Sequence, residues 1–103
     1  MTEPLLALDA RFYTDLAMVA RDRRLVLDRG WQLVAHACRL RNPGDHVVVD
    51  FAGLPVIAVR GADGVVRVMH NVCRHRAGPI AACEGLAAKA LRCRYHGWTY
   101  TLD

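Results

Sequence analysis

Two short Cys/His pairs constrain this chain more than any other feature: Cys73-Arg74-His75 and, after a seventeen-residue spacer, Cys93-Arg94-Tyr95-His96. Each pair offers one thiolate and one imidazole. A structural zinc site more often draws its cysteines and its histidines from separate like-with-like pairs. Here the two ligand types are split evenly between the pairs. A dinuclear cluster accounts for that split. If each loop lies across both metals, Cys73 and Cys93 hold one iron while His75 and His96 hold the other.

Two cysteines and two histidines on a two-iron centre form the ligand set of a Rieske [2Fe–2S] cluster. Two ferric ions, two sulfides and two thiolates sum to zero charge, so such a centre accepts an electron more readily than an all-cysteine cluster. Its class spans roughly −150 to +300 mV, against about −400 mV for plant-type ferredoxins. The ring nitrogens of His75 and His96 that face away from iron can titrate, which couples reduction to proton uptake.

Asn71-Val72-Cys73-Arg74-His75-Arg76 and Cys93-Arg94-Tyr95-His96-Gly97-Trp98-Thr99-Tyr100 resemble the two cluster-binding boxes of the alpha subunits of Rieske non-haem iron oxygenases. These are the ring-hydroxylating dioxygenases and the related monooxygenases and demethylases. The resemblance extends more weakly upstream through Trp31, covering about residues 14–103. Respiratory and photosynthetic Rieske proteins fit less well. They carry an extra disulfide-bonded Cys in each box, where this chain has Gly78 and Tyr95. In the respiratory branch a hydroxyl residue follows the His-Gly of the second box and raises the potential. Trp98 stands in that place, so the resemblance implies a potential toward the low end of the class, suited to a reduced ferredoxin or a flavin reductase as donor.

The resemblance also implies a mainly β architecture: a Rieske-type antiparallel sheet domain over residues 31–103, preceded by a residue 1–30 extension with one helix. The family's second site is a mononuclear Fe(II) held by two His and a carboxylate. It is expected only in a large C-terminal domain, and the chain ends seven residues after His96. The expectation is therefore an N-terminal piece of a longer alpha subunit, its Rieske domain incomplete at the C-terminal end, where a final strand left unpaired would be an aggregation-prone edge. No residue of this chain is expected to be catalytic. The full-length form is expected to be a homo-oligomer that takes electrons from a ferredoxin or flavin reductase. The alternatives are a free-standing Rieske ferredoxin, disfavoured by the helical extension, and a zinc-bound structural module. The resemblance leaves the substrate open, because relatives with similar boxes act on aromatic acids, aromatic hydrocarbons and quaternary amines.

Length and composition agree with one small domain. The chain has 103 residues, 53% of them hydrophobic, enough for a core. No apolar run reaches the eighteen or so residues of a membrane span. Leu5-Leu6-Ala7-Leu8 is too short for a signal-peptide core and follows acidic Glu3. A cytoplasmic location is expected, where four cysteines suggest metal binding rather than disulfides. The net charge of +4 is concentrated near the boxes, in Arg74, Arg76, Lys89, Arg92 and Arg94. A donor with an acidic face would find that favourable. Nucleic acid is not an expected partner, because no binding motif or interleaved aromatic platform is present.

Taken in order, residues 1–13 form a lead-in with Pro4 near its start. Thr14 or Asp15 can cap a helix running to Asp28 and stopping at Gly30. Leu16, Val19, Ala20, Val26 and Leu27 fall near one face of it, and Arg21-Asp22-Arg23-Arg24 lies on the solvated side. Alternation predicts strand from Trp31 to Leu40. Asn42-Pro43-Gly44-Asp45 is a turn. A meander follows: His46–Phe51, a tight Ala52-Gly53 turn, Leu54–Arg60, a Gly61–Gly64 turn, and Val65–His70 leading into Cys73. Gly78-Pro79 bends the spacer, Glu84-Gly85 turns it, Leu91-Arg92 is a short strand, and Thr99–Leu102 begins another. Cys38 and Cys83 are expected to be small buried hydrophobes, and His36, His46 and His70 structural or exposed. Tyr95, Trp98 and Tyr100 are candidates to wall the cluster off from water, although their alternation also fits ordinary strand packing.

Overall fold

The computed structural model describes residues 7–103; Pro4 and Leu5-Leu6 of the expected lead-in lie outside the described residues. The chain divides into two units, one ending at Gln32 and the other running from Leu33 to Asp103. In the first unit the helix expected from Thr14 or Asp15 forms, and a second, short helix precedes it where only a lead-in was expected. Arg11–Thr14 forms a short helix, α1, and Leu16–Asp22 forms α2. Asp15 between them is extended, with φ −85° and ψ 121°, and its carboxylate accepts the Ala17 N–H at 2.8 Å. The residue that caps α2 thus cannot itself be helical. Past Asp22 the helix widens into a π-turn over Arg23–Leu27. Gly30 donates its N–H to Val26 O at 2.8 Å, closing the unit where the glycine predicted. Arg21, Asp22 and Arg24 are exposed, as expected of a wet face.

In the second unit, β1 (His46–Phe51), β2 (Leu54–Arg60) and β3 (Val66–His70) form an antiparallel meander in the order β1-β2-β3. The register runs from Phe51 opposite Leu54 to His46 opposite Val59, and from Val56 opposite His70 to Arg60 opposite Val66. The turns set it. Ala52 and Gly53 have φ of 51° and 81°, the two left-handed central residues of a type I′ hairpin, and Asp50 Oδ1 accepts the Gly53 N–H at 2.7 Å. A second, two-stranded sheet pairs β4 (Leu91–Arg92) with β5 (Thr99–Tyr100), Leu91 opposite Tyr100. The expected final strand is therefore shorter than predicted, and it is paired.

β2 is covered on both faces. Ile57 and Val59 pack with Cys73, Ile80, Leu91, Cys93 and Leu102. On the other face Ala58 packs with Val47 and Leu40, supported by Val34 and Ala35. Both cysteines of the boxes are thus members of the main core.

The strand expected over Trp31–Leu40 is not formed. Residues 31–36 make no ladder, and Ala37–Arg39 is a 3-10 turn whose first N–H groups include Cys38 N–H, bonded to His36 Nδ1 at 3.2 Å. Trp31 and Leu33 are exposed, while Val34 and adjacent Ala35 both meet the core, so the stretch has no alternating face. Apolar alternation stabilises a strand only where a neighbour offers paired backbone groups, and among the described residues none is paired with this stretch. Cys38 lies on that turn and is exposed, as is Cys83 on the spacer, against the expectation that both are buried. Neither sits on an element with a core-facing side.

The spacer is pinned rather than loose. Gly85 and His46 exchange two backbone hydrogen bonds of 2.9 and 3.0 Å. The buried carboxylate of Asp45 accepts the N–H groups of Asn42 at 2.8 Å and of Ala87 at 3.0 Å. These bonds hold Asp45 below the usual carboxylate range. Gly44, with φ +85°, lies so close to this chain that a Cβ would stand 2.0 Å from Ala88 O.

Candidate metal centre

β3 ends at His70, and the next residue anchors the first ligand loop. Asn71 is buried. Its Oδ1 accepts the N–H groups of Ile80 and Ala81, both at 3.0 Å, and its Nδ2 donates to Ala81 O at 2.7 Å. Its own N–H donates to Pro55 O at 2.9 Å. One side chain thereby ties the entry of the loop to its exit. The second loop is closed by the β4–β5 pairing instead.

The two loops share one backbone frame. Cys73 N–H donates to Gly78 O at 2.7 Å and Cys93 N–H to Trp98 O at 2.9 Å. Ala77 N–H donates to Cys73 O and Gly97 N–H to Cys93 O, both at 2.9 Å. The residue four after each cysteine is left-handed, Ala77 at φ 57° and Gly97 at φ 78°. In both loops the cysteine thus starts a closed turn that presents a histidine, at the second following position in one and the third in the other.

The frame brings all four expected ligands to one end of the domain. Cys73 and Cys93 are 3% and 2% exposed, whereas His75 and His96 are exposed. The two imidazoles meet edge to face with centroids 4.6 Å apart. The Tyr100 hydroxyl lies 3.1 Å from Cys73 Sγ and accepts the Arg74 N–H at 3.0 Å. With that N–H on its lone pair, the phenol is free to aim its proton at sulfur. Tyr100, ahead of the His75 N–H and the Cys93 thiol, holds the Cys73 thiol below its ordinary value, and Cys73 in turn pushes the Tyr100 phenol up. Trp98 stacks on His75, centroids 5.2 Å apart and planes 3° from parallel, and Tyr95 lies against His96 at 3.9 Å.

This donor set fits a [2Fe–2S] cluster. The thiols form a buried pair suited to soft, desolvated ligation, and the imidazoles form a second pair at the surface. Among the described residues, no three His, Cys, Asp or Glu side chains converge closely enough to hold a single metal ion. The surroundings are basic. Arg74, Arg76, Lys89, Arg92 and Arg94 are exposed, and the only carboxylate between Gly64 and Leu102 is Glu84, which pairs with Arg39.

Several of these partners were not visible in the sequence. Asn71 read as part of a box, with no partner at residues 80–81. The sequence shows no hydroxyl at Trp98, yet Tyr100 delivers one to Cys73 from β5. No local pattern announces that contact, which follows from the β4–β5 pairing that sets Tyr100 across from Leu91. His36 and His46 have structural roles, at the 3-10 turn and against Gly44 O at 3.0 Å, and His70 is exposed.

A buried thiol pair beside an exposed imidazole pair, on two like loops of an antiparallel sheet domain, defines an iron–sulfur domain of the Rieske type. The family model for the Rieske [2Fe-2S] domain matches residues 30–103, and the chain belongs to this family. The relatives it resembles are oxygenase subunits. The chain is 38% identical to the carnitine monooxygenase oxygenase subunit of Escherichia coli K12 across 91% of its own length and 25% of that protein's. It is likewise 38% identical to the benzene 1,2-dioxygenase alpha subunit of Pseudomonas putida, covering 90% of this chain and 21% of that one. Its fold matches the apo form of a quaternary ammonium Rieske monooxygenase with a TM-score of 0.88 at 31% identity, over 94% of this chain and 28% of that one. Naphthalene 1,2-dioxygenase from Rhodococcus sp. gives a TM-score of 0.80 at 31% identity, over 89% and 21% of the two chains. The chain spans about a quarter of the length of these relatives.

Proposed function

We propose that Cys73 and Cys93 hold one iron and His75 and His96 the other iron of a [2Fe–2S] cluster, and that the domain relays electrons from a ferredoxin or flavin reductase to the mononuclear iron of a ring-hydroxylating type oxygenase. The observation that carries this reading is the sorting of ligands by burial. The cysteines lie in the core, and the histidines lie at the surface, where a partner can approach. When bound, the cluster supplies one-electron acceptance and release near neutral pH. The chain's own residues supply the rest. Tyr100 and the His75 N–H stabilise negative charge on the Cys73 sulfur. The exposed arginines favour an acidic donor surface and make its approach dependent on ionic strength.

The mononuclear iron and the substrate pocket belong, on this reading, to a catalytic domain beyond residues 31–103, and the active form is a homo-oligomer in the cytoplasm. No helix among the described residues is long and apolar enough to cross a membrane. The relatives are oxygenase subunits named for carnitine and for benzene, so quaternary amines and aromatic hydrocarbons are the substrate classes to test.

The test is electron paramagnetic resonance of the dithionite-reduced protein, reconstituted anaerobically with iron and sulfide. A rhombic signal with an average g below that of an all-cysteine cluster is expected. An all-cysteine signal would overturn the ligand assignment. So would stoichiometric zinc in place of iron in a longer form carrying the same two boxes.

A further inference from the structure

We propose that Trp98 is a positioning residue for His75: the second ligand loop supplies Cys93 and His96 and also sets the ring plane of the histidine on the first loop. The inference rests on the ligand assignment proposed above. Its starting point is how little else holds His75. The side chain is exposed, and among the described residues no hydrogen bond reaches either of its ring nitrogens. Among the described residues its aromatic partners are His96, met edge to face, and Trp98, stacked with its plane 3° from parallel.

A metal-ligating imidazole must aim one nitrogen lone pair at the metal, so rotation about its χ2 costs ligation. In many metal sites the second nitrogen is held by a hydrogen bond that fixes that rotation. The His75 ring lacks such a bond here, and the indole face takes over the task. Stacking leaves the imidazole free to slide but not to turn out of plane. Trp98 can serve as a reference because its own backbone is fixed. Its carbonyl accepts the Cys93 N–H at 2.9 Å, and the next two residues pair with β4. Its side chain, 48% exposed, is outside the core cluster. Replacing it therefore removes the stack without excavating the domain.

The experiment compares wild type, Trp98→Leu and Trp98→Phe by two readouts. In the metal-free full chain, NMR should show the His75 ring protons shifted upfield by the indole ring current. Trp98→Leu should return them to ordinary values. In the reconstituted chain, Trp98→Leu should broaden the reduced-cluster resonance and release the cluster roughly two- to tenfold faster, the range an aromatic pair commands. Trp98→Phe should restore most of both effects. Unshifted His75 protons in wild type would overturn the proposal. So would a Trp98→Leu protein whose g values, line widths and cluster lifetime match wild type. If no form takes up a cluster while the ring-current shift is present and lost in Trp98→Leu, Trp98 still sets the His75 plane and the cluster assignment falls instead.

Discussion

The Tyr100 hydroxyl sits 3.1 Å from the Cys73 sulfur, across 27 residues of sequence, and takes the Arg74 N–H on its other side. A hydrogen bond to a thiolate withdraws charge from it, and a cluster with less charge on its ligands is easier to reduce. Tyr100→Phe should therefore lower the reduction potential. The shift should be on the order of 50 mV, since a tenfold change in a one-electron equilibrium is about 59 mV. A redox titration followed by the resonance of the reduced cluster measures it. An unchanged potential would show that the phenol spends its proton elsewhere.

Ala77 holds the left-handed position of the first loop at φ 57°, where the second loop has Gly97. A left-handed conformation costs a non-glycine residue roughly 1–2 kcal/mol, and glycine returns part of that as unfolded-state entropy. Ala77→Gly should be stabilising by about 0.5–1 kcal/mol. For a domain of this size that is a rise of several degrees in Tm, read by thermal melting followed by circular dichroism. A lower Tm would mean that the alanine methyl makes a contact worth more than the strain.

Ile57 is fully buried between the meander and both ligand loops. Ile57→Ala should cost about 2–5 kcal/mol and Ile57→Val about 0.5–1.5 kcal/mol. Because Ile57 packs in the same cluster as Cys73 and Cys93, the alanine variant should also release iron at a lower urea concentration than wild type. Iron release and unfolding should coincide in a urea titration with both followed. Release well before unfolding would show the loops to be independent of the core.

Asp45 links stability to acid. Its folded carboxyl is held below the ordinary value by the N–H groups of Asn42 and Ala87. A depressed folded pKa means that the unfolded chain binds the proton first. The stabilisation is complete above the unfolded value of about 3.9 and is lost as pH falls through the folded one. Asp45→Asn should therefore lower the denaturation midpoint most at neutral pH, and its gap to wild type should narrow below pH of about 4. A gap independent of pH would assign the effect to geometry rather than charge.

The meander was legible because its signals are local. Val-rich runs separated by Ala52-Gly53 and by Gly61–Gly64 admit few other arrangements, and strand limits agree with expectation within a residue. Trp31–Leu40 carried a similar alternation and formed no strand, because pairing requires a neighbour that sequence does not display. Asp15 announced the start of α2, but the same capping geometry broke the helix before it.

By itself the sequence determined the chemical identity of the site. Two thiols and two imidazoles in split pairs are covalent facts, and their spacing allows two short loops to share one centre. Tertiary structure alone decided which ligands are buried and what touches them. Tyr100 on Cys73, Asn71 on residues 80–81 and Asp45 on Ala87 join groups 9 to 42 residues apart. Such contacts exist only once packing has placed the backbones, because a side-chain hydrogen bond acts over about 3 Å and carries no periodic trace in the chain.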